Sequence, residues 1–246
     1  MEVLYKYAEN VNGKIIHINN AMSGEKYICP ECKEKFTFKN GKIRQRHFSH
    51  SNSSSNCTGE GYLHKTFKKM LLELIRNNLS SNLPLIVNFK CNICNMEHNG
   101  DILNEIIEVK DEHNLEMCRP DIVLINKKNA VPIIIEIVDK HEPEVNVFNF
   151  CKKNSTVLIR IKIETINDLE NVNKKISFPS NVFFFNQLNC PNYQQYIIKE
   201  QRIPKIILNN NRIIQKGPTI EQLEAKKRRQ YYAIKNSYKN KPKRKK

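Results

Sequence analysis

Two apolar runs separated by a short polar turn constrain the fold of this 246-residue chain more than any other feature. The first run spans residues 121–125 (DIVLI) and the second spans 131–138 (VPIIIEIV), with the turn KKNA between them. Runs rich in β-branched residues on either side of such a turn predict a buried β-hairpin. A turn centred on residues 128–129 places Asp121 directly opposite Glu136.

This pairing makes the two acids candidate metal ligands. Opposed side chains on paired strands have Cβ atoms about 5 Å apart, and like charges there destabilise the pair unless a cation lies between them. Glu136 lies within an apolar run, where a carboxylate is costly unless it is paired or bound to metal. Oxygen ligands suit Mg²⁺ or Mn²⁺. We therefore predict that Asp121 and Glu136 hold a catalytic Mg²⁺ or Mn²⁺ ion; a strand-end acid facing water is the alternative for either one alone.

A helix is predicted from Gly61 to Asn78, because apolar residues recur there at helical spacing. Glu60, His64 and Lys68 follow one another at intervals of four residues, which places them on one face beside the apolar stripe. The three are candidate catalytic residues. A solvated helix face is the alternative.

The cysteines predict metal binding rather than disulfides. The eight cysteines follow a start that lacks a secretory pattern, which favours an intracellular, reducing compartment, cytoplasmic or nuclear. The spacing of Cys29, Cys32, His47 and His50 predicts a structural Zn²⁺ site in a short module with little core. Cys57 is an alternate fourth ligand, because two histidines three residues apart on a strand point to opposite faces.

A second CxxC pair predicts a further zinc site with less definition. Cys91 and Cys94 supply half of a ligand set, and His98, Cys118 or Cys190 are the candidates for the rest. Ordinary buried thiols are the alternative for this pair.

The charge is concentrated at the carboxyl end. The chain has 41 Lys and Arg against 25 Asp and Glu, a net charge of +16, and residues 216–246 contribute +10 of it. Such a tail predicts a nucleic-acid partner, DNA foremost, and a solubilising tail or localisation signal is the alternative. No apolar run is long enough for a membrane span. The basic residues predicted to contact nucleic acid are Lys226, Lys227, Arg228, Arg229, Lys243 and Arg244.

Three domains are predicted from these patterns. Residues 1–58 form a small β-rich zinc module that ends in a polar linker, residues 59–188 form an α/β core, and residues 189–246 form an extension with a basic helical tail.

The order of these motifs resembles the competence CoiA-like proteins within the PD-(D/E)XK nuclease superfamily. The likeness covers about the first 165 residues and rests on five motifs, which are YICPEC, HFSH, Glu60-x3-His64-x3-Lys68, Arg119-Pro120-Asp121, and Ile135-Glu136-Ile137 with the following HEPE. The resemblance implies a restriction-endonuclease-like mixed sheet flanked by helices and a zinc-ribbon-like N-terminal module. It also implies that Asp121 and Glu136 bind the catalytic metal and that Glu60, His64 and Lys68 belong to the helix motif.

One position departs from the superfamily motif. Lys is usual two residues after the glutamate, and Val138 stands here, where CoiA-like members typically have Gln. Lys68 or Lys140 could supply the missing ammonium group. The expected function is metal-dependent hydrolysis of DNA. The alternatives are a catalytically degenerate zinc protein that binds nucleic acid, and a zinc-stapled scaffold for acidic protein partners.

Overall fold

The described part of the chain comprises residues 5–41, 45–51, 57, 59–139 and 142–192 of a computed structural model, without the side chains of residues 59–60. All of the described residues lie in one compact unit, Met1–Arg202. The predicted basic tail, with its six nucleic-acid-binding residues, lies outside the described residues, and so does Lys140. No helix in the described part is long and apolar enough to cross a membrane.

The N-terminal region forms the predicted β-rich sheet. All its neighbouring strands are antiparallel, in the order β2-β1-β3-β4-β5. Aromatic side chains fill its buried face: Phe36 stacks on Phe48 with ring centroids 5.9 Å apart, and Tyr27 packs on the same ring. The strands are β1 (Tyr7–Asn10), β2 (Ile15–His17), β3 (Tyr27–Ile28), β4 (Lys35–Lys39) and β5 (His47–His50).

A long helix and a small hairpin follow. The predicted helix is confirmed as α1 (Gly59–Ser80), whose buried residues include Phe67, Leu71 and Ile75 at helical spacing. The hairpin pairs β6 (Ile86–Lys90) with β7 (Glu97–Asp101) and carries the second CxxC pair at its turn.

The central sheet is mixed, with the order β12-β11-β10-β9-β8. Strands β10 and β11 are parallel and the other neighbours are antiparallel, which requires a crossover between β10 and β11. Helix α2 (Val145–Asn154) makes this crossover, and α3 (Val172–Ser177) precedes the last strand. The strands are β8 (Ile106–Asp111), β9 (Ile122–Asn126), β10 (Ile133–Val138), β11 (Val157–Lys162) and β12 (Asn181–Phe183).

Alternate residues of the central strands enter two different cores. Ile122, Ile135 and Ile159 pack in the larger core, which also contains buried residues of α1 and of the N-terminal sheet. Their sequence neighbours Val123 and Ile134 pack in a smaller core with residues of α2. The central sheet is therefore flanked by helices on both faces, as the mixed α/β prediction requires.

Helix α1 is joined to the N-terminal sheet by a buried tyrosine. The Tyr62 hydroxyl donates to the carbonyl of Tyr7 at 2.8 Å and accepts from the Tyr7 backbone N–H at 2.9 Å. Tyr62 is fully buried, and Tyr5 packs edge-on against its ring. The helix thus shares one core with both sheets.

Candidate functional site

The β9–β10 hairpin brings Asp121 and Glu136 to opposed positions. Ile122 pairs with Ile135 in the antiparallel register, so the next pair outward is Asp121 with Glu136, as predicted from the turn. The Asp121 backbone N–H lies 3.4 Å from Glu136 Oε1, and the Ile137 N–H donates to Asp121 Oδ2 at 3.0 Å. Both acids lie at the end of a buried hairpin that fixes their separation.

Helix α1 contributes two side chains to the same place. His64 Nε2 lies 3.1 Å from Asp121 Oδ2, and Lys68 Nζ lies 3.5 Å from Asp121 Oδ1. Lys68 is 5 % exposed, which is unusual for lysine and requires the partners that it has here. The side chain of Glu60, the third predicted residue of this helix face, lies outside the described residues.

A further acid, Glu112, was not predicted from the sequence. Lys68 Nζ donates to Glu112 Oε1 at 2.5 Å, and Arg119 donates to Glu112 Oε2 at 2.7 Å. The Glu112 backbone N–H donates to the Asp121 carbonyl at 3.0 Å, because β8 pairs with β9. Glu112 therefore lies next to Asp121 because β8 pairs with β9, and no local motif predicts this pairing.

The two opposed carboxyl groups have different proton affinities. Burial, and next the negative charge of Asp121, raise the pKa of Glu136 to about 8, with Glu144 adding to the shift. Burial also opposes ionisation of Asp121, but its hydrogen bond from His64 and the Ile137 N–H outweigh burial and lower its pKa. The pair therefore favours the negative charge on Asp121 and the proton on Glu136. Such a split pair in one site is typical of functional carboxylates.

The strand position two residues after Glu136 supplies no charge. Val138 is an apolar residue, 4 % exposed. The ammonium group beside the acids is instead that of Lys68, which comes from helix α1. Arg160 is the neighbour of Glu136 on β11, but its guanidinium group pairs with Glu142 and with Asn181 Oδ1. Glu136 is thus not paired to that arginine.

The first Cys/His cluster contains Cys29, Cys32, His50 and Cys57. Their ligand atoms all lie within 4.8 Å of one another. Cys29 Sγ and Cys57 Sγ are 3.4 Å apart, and Cys32 Sγ lies 3.3 Å from His50 Nε2. The CxxC loop supplies two of these ligands and β5 supplies the histidine.

The assignment of His47 to this cluster is corrected by the structure. His47 lies at the other end of β5, where its Nδ1 is 2.9 Å from the Gln45 carbonyl oxygen. Residues three apart on a strand face opposite sides, so His47 and His50 do not converge. Cys57, the alternate ligand, occupies the fourth position.

The second cluster contains Cys91, Cys94, His98 and Cys190, again with all ligand atoms within 4.8 Å of one another. Cys118, the other distant candidate, instead belongs to the core beside α2. In the described residues, these two clusters are the groups of three or more Cys, His, Asp or Glu ligand atoms that come so close together.

Both clusters fit a tetrahedral metal ion. Zn–S bonds of about 2.3 Å in a tetrahedron place sulfur atoms about 3.8 Å apart. The sulfur pairs here are 3.4 Å and 3.7 Å apart, far longer than the roughly 2 Å of a disulfide. Three thiols and one imidazole at each place could hold a metal such as zinc.

Comparison with protein families identifies one part of the chain. Residues 13–60 match the family described as Competence protein CoiA, N-terminal domain. The match supports a CoiA-like family. The CoiA-like segment runs from just before β2 to the start of α1 and includes both CxxC ligands and His50 of the first cluster. Comparisons with curated proteins and with solved structures give no match.

Proposed function

We propose that this CoiA-like chain is a metal-dependent nuclease that hydrolyses phosphodiester bonds of DNA, on a restriction-endonuclease-like core of the PD-(D/E)XK type. One observation carries the proposal: two carboxylates stand opposed at the end of a buried hairpin, and the buried ammonium group of Lys68 lies beside them. The mixed sheet flanked by helices supports the same fold.

Asp121 and Glu136 are the residues that would hold Mg²⁺ or Mn²⁺. The fit rests on the donor set, because carboxylate oxygens are the ligands that these ions prefer and Glu136 is held in an apolar site with a long 3.4 Å contact to a backbone N–H. A divalent ion held there would supply an acidified water molecule and would neutralise charge on the phosphate. Glu136 would hold the ion as a carboxylate, so the ion would compete with the proton that burial favours on this residue.

The protein's own groups then have distinct roles. The Ile137 N–H and His64 fix the orientation of the Asp121 carboxylate. The Lys68 ammonium group lies beside Asp121 and supplies the positive charge that Val138 cannot supply. It would orient water or stabilise the phosphate oxygens. Glu112 pairs with Lys68 on its other side and is itself paired with Arg119.

Affinity for DNA comes from the basic surface. A net charge of +16 favours phosphate contacts that release counterions, whatever the base sequence. Lys226, Lys227, Arg228, Arg229, Lys243 and Arg244 are proposed to make such contacts, with Tyr231, Tyr232 and Tyr238 available to stack on exposed bases. A structural zinc ion at the first cluster stabilises the N-terminal sheet as a zinc-ribbon-like module.

The test is cleavage of plasmid and single-stranded DNA with Mg²⁺ or Mn²⁺ by the zinc-loaded protein. We expect Asp121→Asn and Glu136→Gln each to lower the cleavage rate at least about 100-fold and to leave DNA binding in place. The matched control is Glu108→Gln, which removes a solvent-facing acid of β8 that pairs with Lys110. Cleavage at the wild-type rate by Asp121→Asn or by Glu136→Gln would rule out the proposed site.

A second function is favoured by a specific observation. Both Asp121 oxygens already contact protein groups, His64 and the Ile137 N–H on one and Lys68 on the other. A catalytically degenerate zinc protein that binds nucleic acid would keep such a closed site. It predicts DNA binding that needs no Mg²⁺, no cleavage under any metal, and loss of binding in Cys29→Ser.

A further inference from the structure

The two CxxC loops of this chain have the same backbone hydrogen bonds. In the first, the Cys29 N–H donates to the Glu34 carbonyl at 2.8 Å and the Lys33 N–H donates to the Cys29 carbonyl at 3.0 Å. In the second, the Cys91 N–H donates to the Met96 carbonyl and the Asn95 N–H to the Cys91 carbonyl, both at 2.9 Å. The two loops are thus equivalent residue by residue.

The equivalence extends to the backbone angles and to the sulfur atoms. The residue after the second cysteine has a positive φ in both loops, 64° for Lys33 and 62° for Asn95, although neither is glycine. Burial raises the pKa of both Cys29 and Cys91, and in each loop hydrogen bonds from two backbone N–H groups oppose that rise; the Ile93 N–H lies 3.4 Å from Cys91 Sγ. N–H groups aimed at sulfur stabilise a thiolate, the form that binds metal.

The remaining ligands come from β7 and from the end of the described chain. His98 Nε2 lies 3.1 Å from Cys94 Sγ, and Cys190 Sγ lies 3.7 Å from Cys91 Sγ. Cys91 and Cys190 are each 1 % exposed. Cys190 is 99 residues from Cys91, so this contact joins two distant segments of the chain.

Contacts outside the cluster hold these two segments together. The Asn92 side chain donates to the Phe184 carbonyl at 3.0 Å and accepts from the Phe184 N–H at 2.8 Å. The Phe89 ring packs on the Phe184 ring with centroids 5.3 Å apart. The ligands are therefore presented by a docked hairpin rather than by a chance encounter of surface thiols.

We infer that Cys91, Cys94, His98 and Cys190 bind a second structural zinc ion, which fastens the β6–β7 hairpin to the segment that follows β12. A two-stranded hairpin is marginally stable alone, and this one exposes Ile86 and Met96. A metal cross-link compensates for the apolar burial that the hairpin lacks. The inference is independent of the nuclease proposal, because it concerns a site remote in sequence from the opposed acids.

The experiment measures the zinc content of the full chain by mass spectrometry. We expect two zinc ions per chain in the wild type, one in Cys190→Ser, one in Cys29→Ser and none in the double variant. Cys151→Ala, which removes a buried thiol outside both clusters, is the matched control and retains two. A zinc content in Cys190→Ser equal to that of the wild type overturns the inference.

A second measurement covers the case in which Cys190→Ser folds poorly. His98→Asn changes a partly exposed ligand, and it is expected to lose one zinc ion while amide hydrogen exchange speeds up in β6 and β7 and is unchanged in the N-terminal sheet. Unchanged exchange in the hairpin together with loss of zinc shows that the ion does not fasten it. Unchanged zinc content shows that His98 is not a ligand.

Discussion

The ammonium group of Lys68 lies 3.5 Å from Oδ1 of Asp121, although the two residues are 53 positions apart. Helix α1 carries the lysine and the β9–β10 hairpin positions the aspartate. The same ammonium group contacts Glu112, so its charge is shared between two acids. This arrangement places a buried positive charge beside Asp121, whereas the strand that carries Glu136 has Val138 in place of a lysine.

The proposed nuclease activity predicts that replacement of this lysine separates catalysis from binding. Lys68→Met keeps the aliphatic stem and removes the charge, so we expect DNA cleavage to fall about 100-fold while the affinity for DNA changes little. Lys65→Met, an exposed position of the same helix, is the control and should cleave normally. Single-turnover cleavage and filter binding measure the two properties. Equal loss in both variants would indicate a general effect of charge.

Cys57 and His47 are expected to differ in their effect on metal content. Cys57→Ser removes a ligand of the first cluster, so the chain should retain one zinc ion fewer and its melting temperature should drop. His47→Ala removes a ring outside the cluster and should retain the wild-type zinc content. Zinc analysis of the purified proteins measures this directly. Loss of zinc in His47→Ala alone would restore the histidine pair as ligands.

Tyr62→Phe is expected to destabilise the fold without touching either cluster. The substitution removes both hydrogen bonds to Tyr7 and leaves a buried N–H and a buried carbonyl without that partner. The expected loss is about 2–4 kcal/mol of the free energy of unfolding. Denaturant unfolding measures it. A loss below about 0.5 kcal/mol would mean that water replaces the hydroxyl.

Asp168 is expected to make stability depend on pH in the acid range. Burial alone would raise its pKa, but the hydrogen bonds from Lys175 and from the Glu164 and Thr165 N–H groups lower it. Because the pKa is lower in the folded state, the stabilisation is complete above the unfolded-state value of about 4 and is lost as pH falls toward the folded-state value.

The comparison of wild type with Asp168→Asn tests this sign. The difference in unfolding free energy should be constant, on the order of 1 kcal/mol, from pH 5 to 7 and should shrink toward pH 3. Urea titrations at several pH values provide the measurement. A difference that grows on acidification would contradict the assignment.

The parts of the fold that the sequence predicts are those with local patterns. The β9–β10 register follows from two apolar runs and a turn in which Asn126 Oδ1 accepts from the Lys128 and Ala130 N–H groups. Helix α1 follows from its apolar spacing. By contrast, β1 was not predicted, because its four residues are too few and too polar at the end to give a clear strand pattern.

Long-range pairing explains what the sequence left open. Glu112 reaches Asp121 only because β8 adds to the edge of β9, and Cys190 reaches Cys91 only because the chain returns past β6 after β12. Cys190 is 99 residues from Cys91, whereas Glu112, although close to Asp121 in sequence, belongs to no motif that the sequence singles out. Strand alternation, in contrast, already favoured Cys57 over one of the two histidines.

The bond between Tyr62 and Tyr7 also sets the rotation of α1 about its own axis. His64 and Lys68 lie within two turns of that bond, and a shift by one residue would turn each of them about 100° away from Asp121. The N-terminal sheet therefore fixes the direction in which His64 and Lys68 face Asp121. A chain truncated just before α1 would still contain His64, Lys68, Asp121 and Glu136. It would lack the contact with Tyr7 that fixes the rotation of the helix.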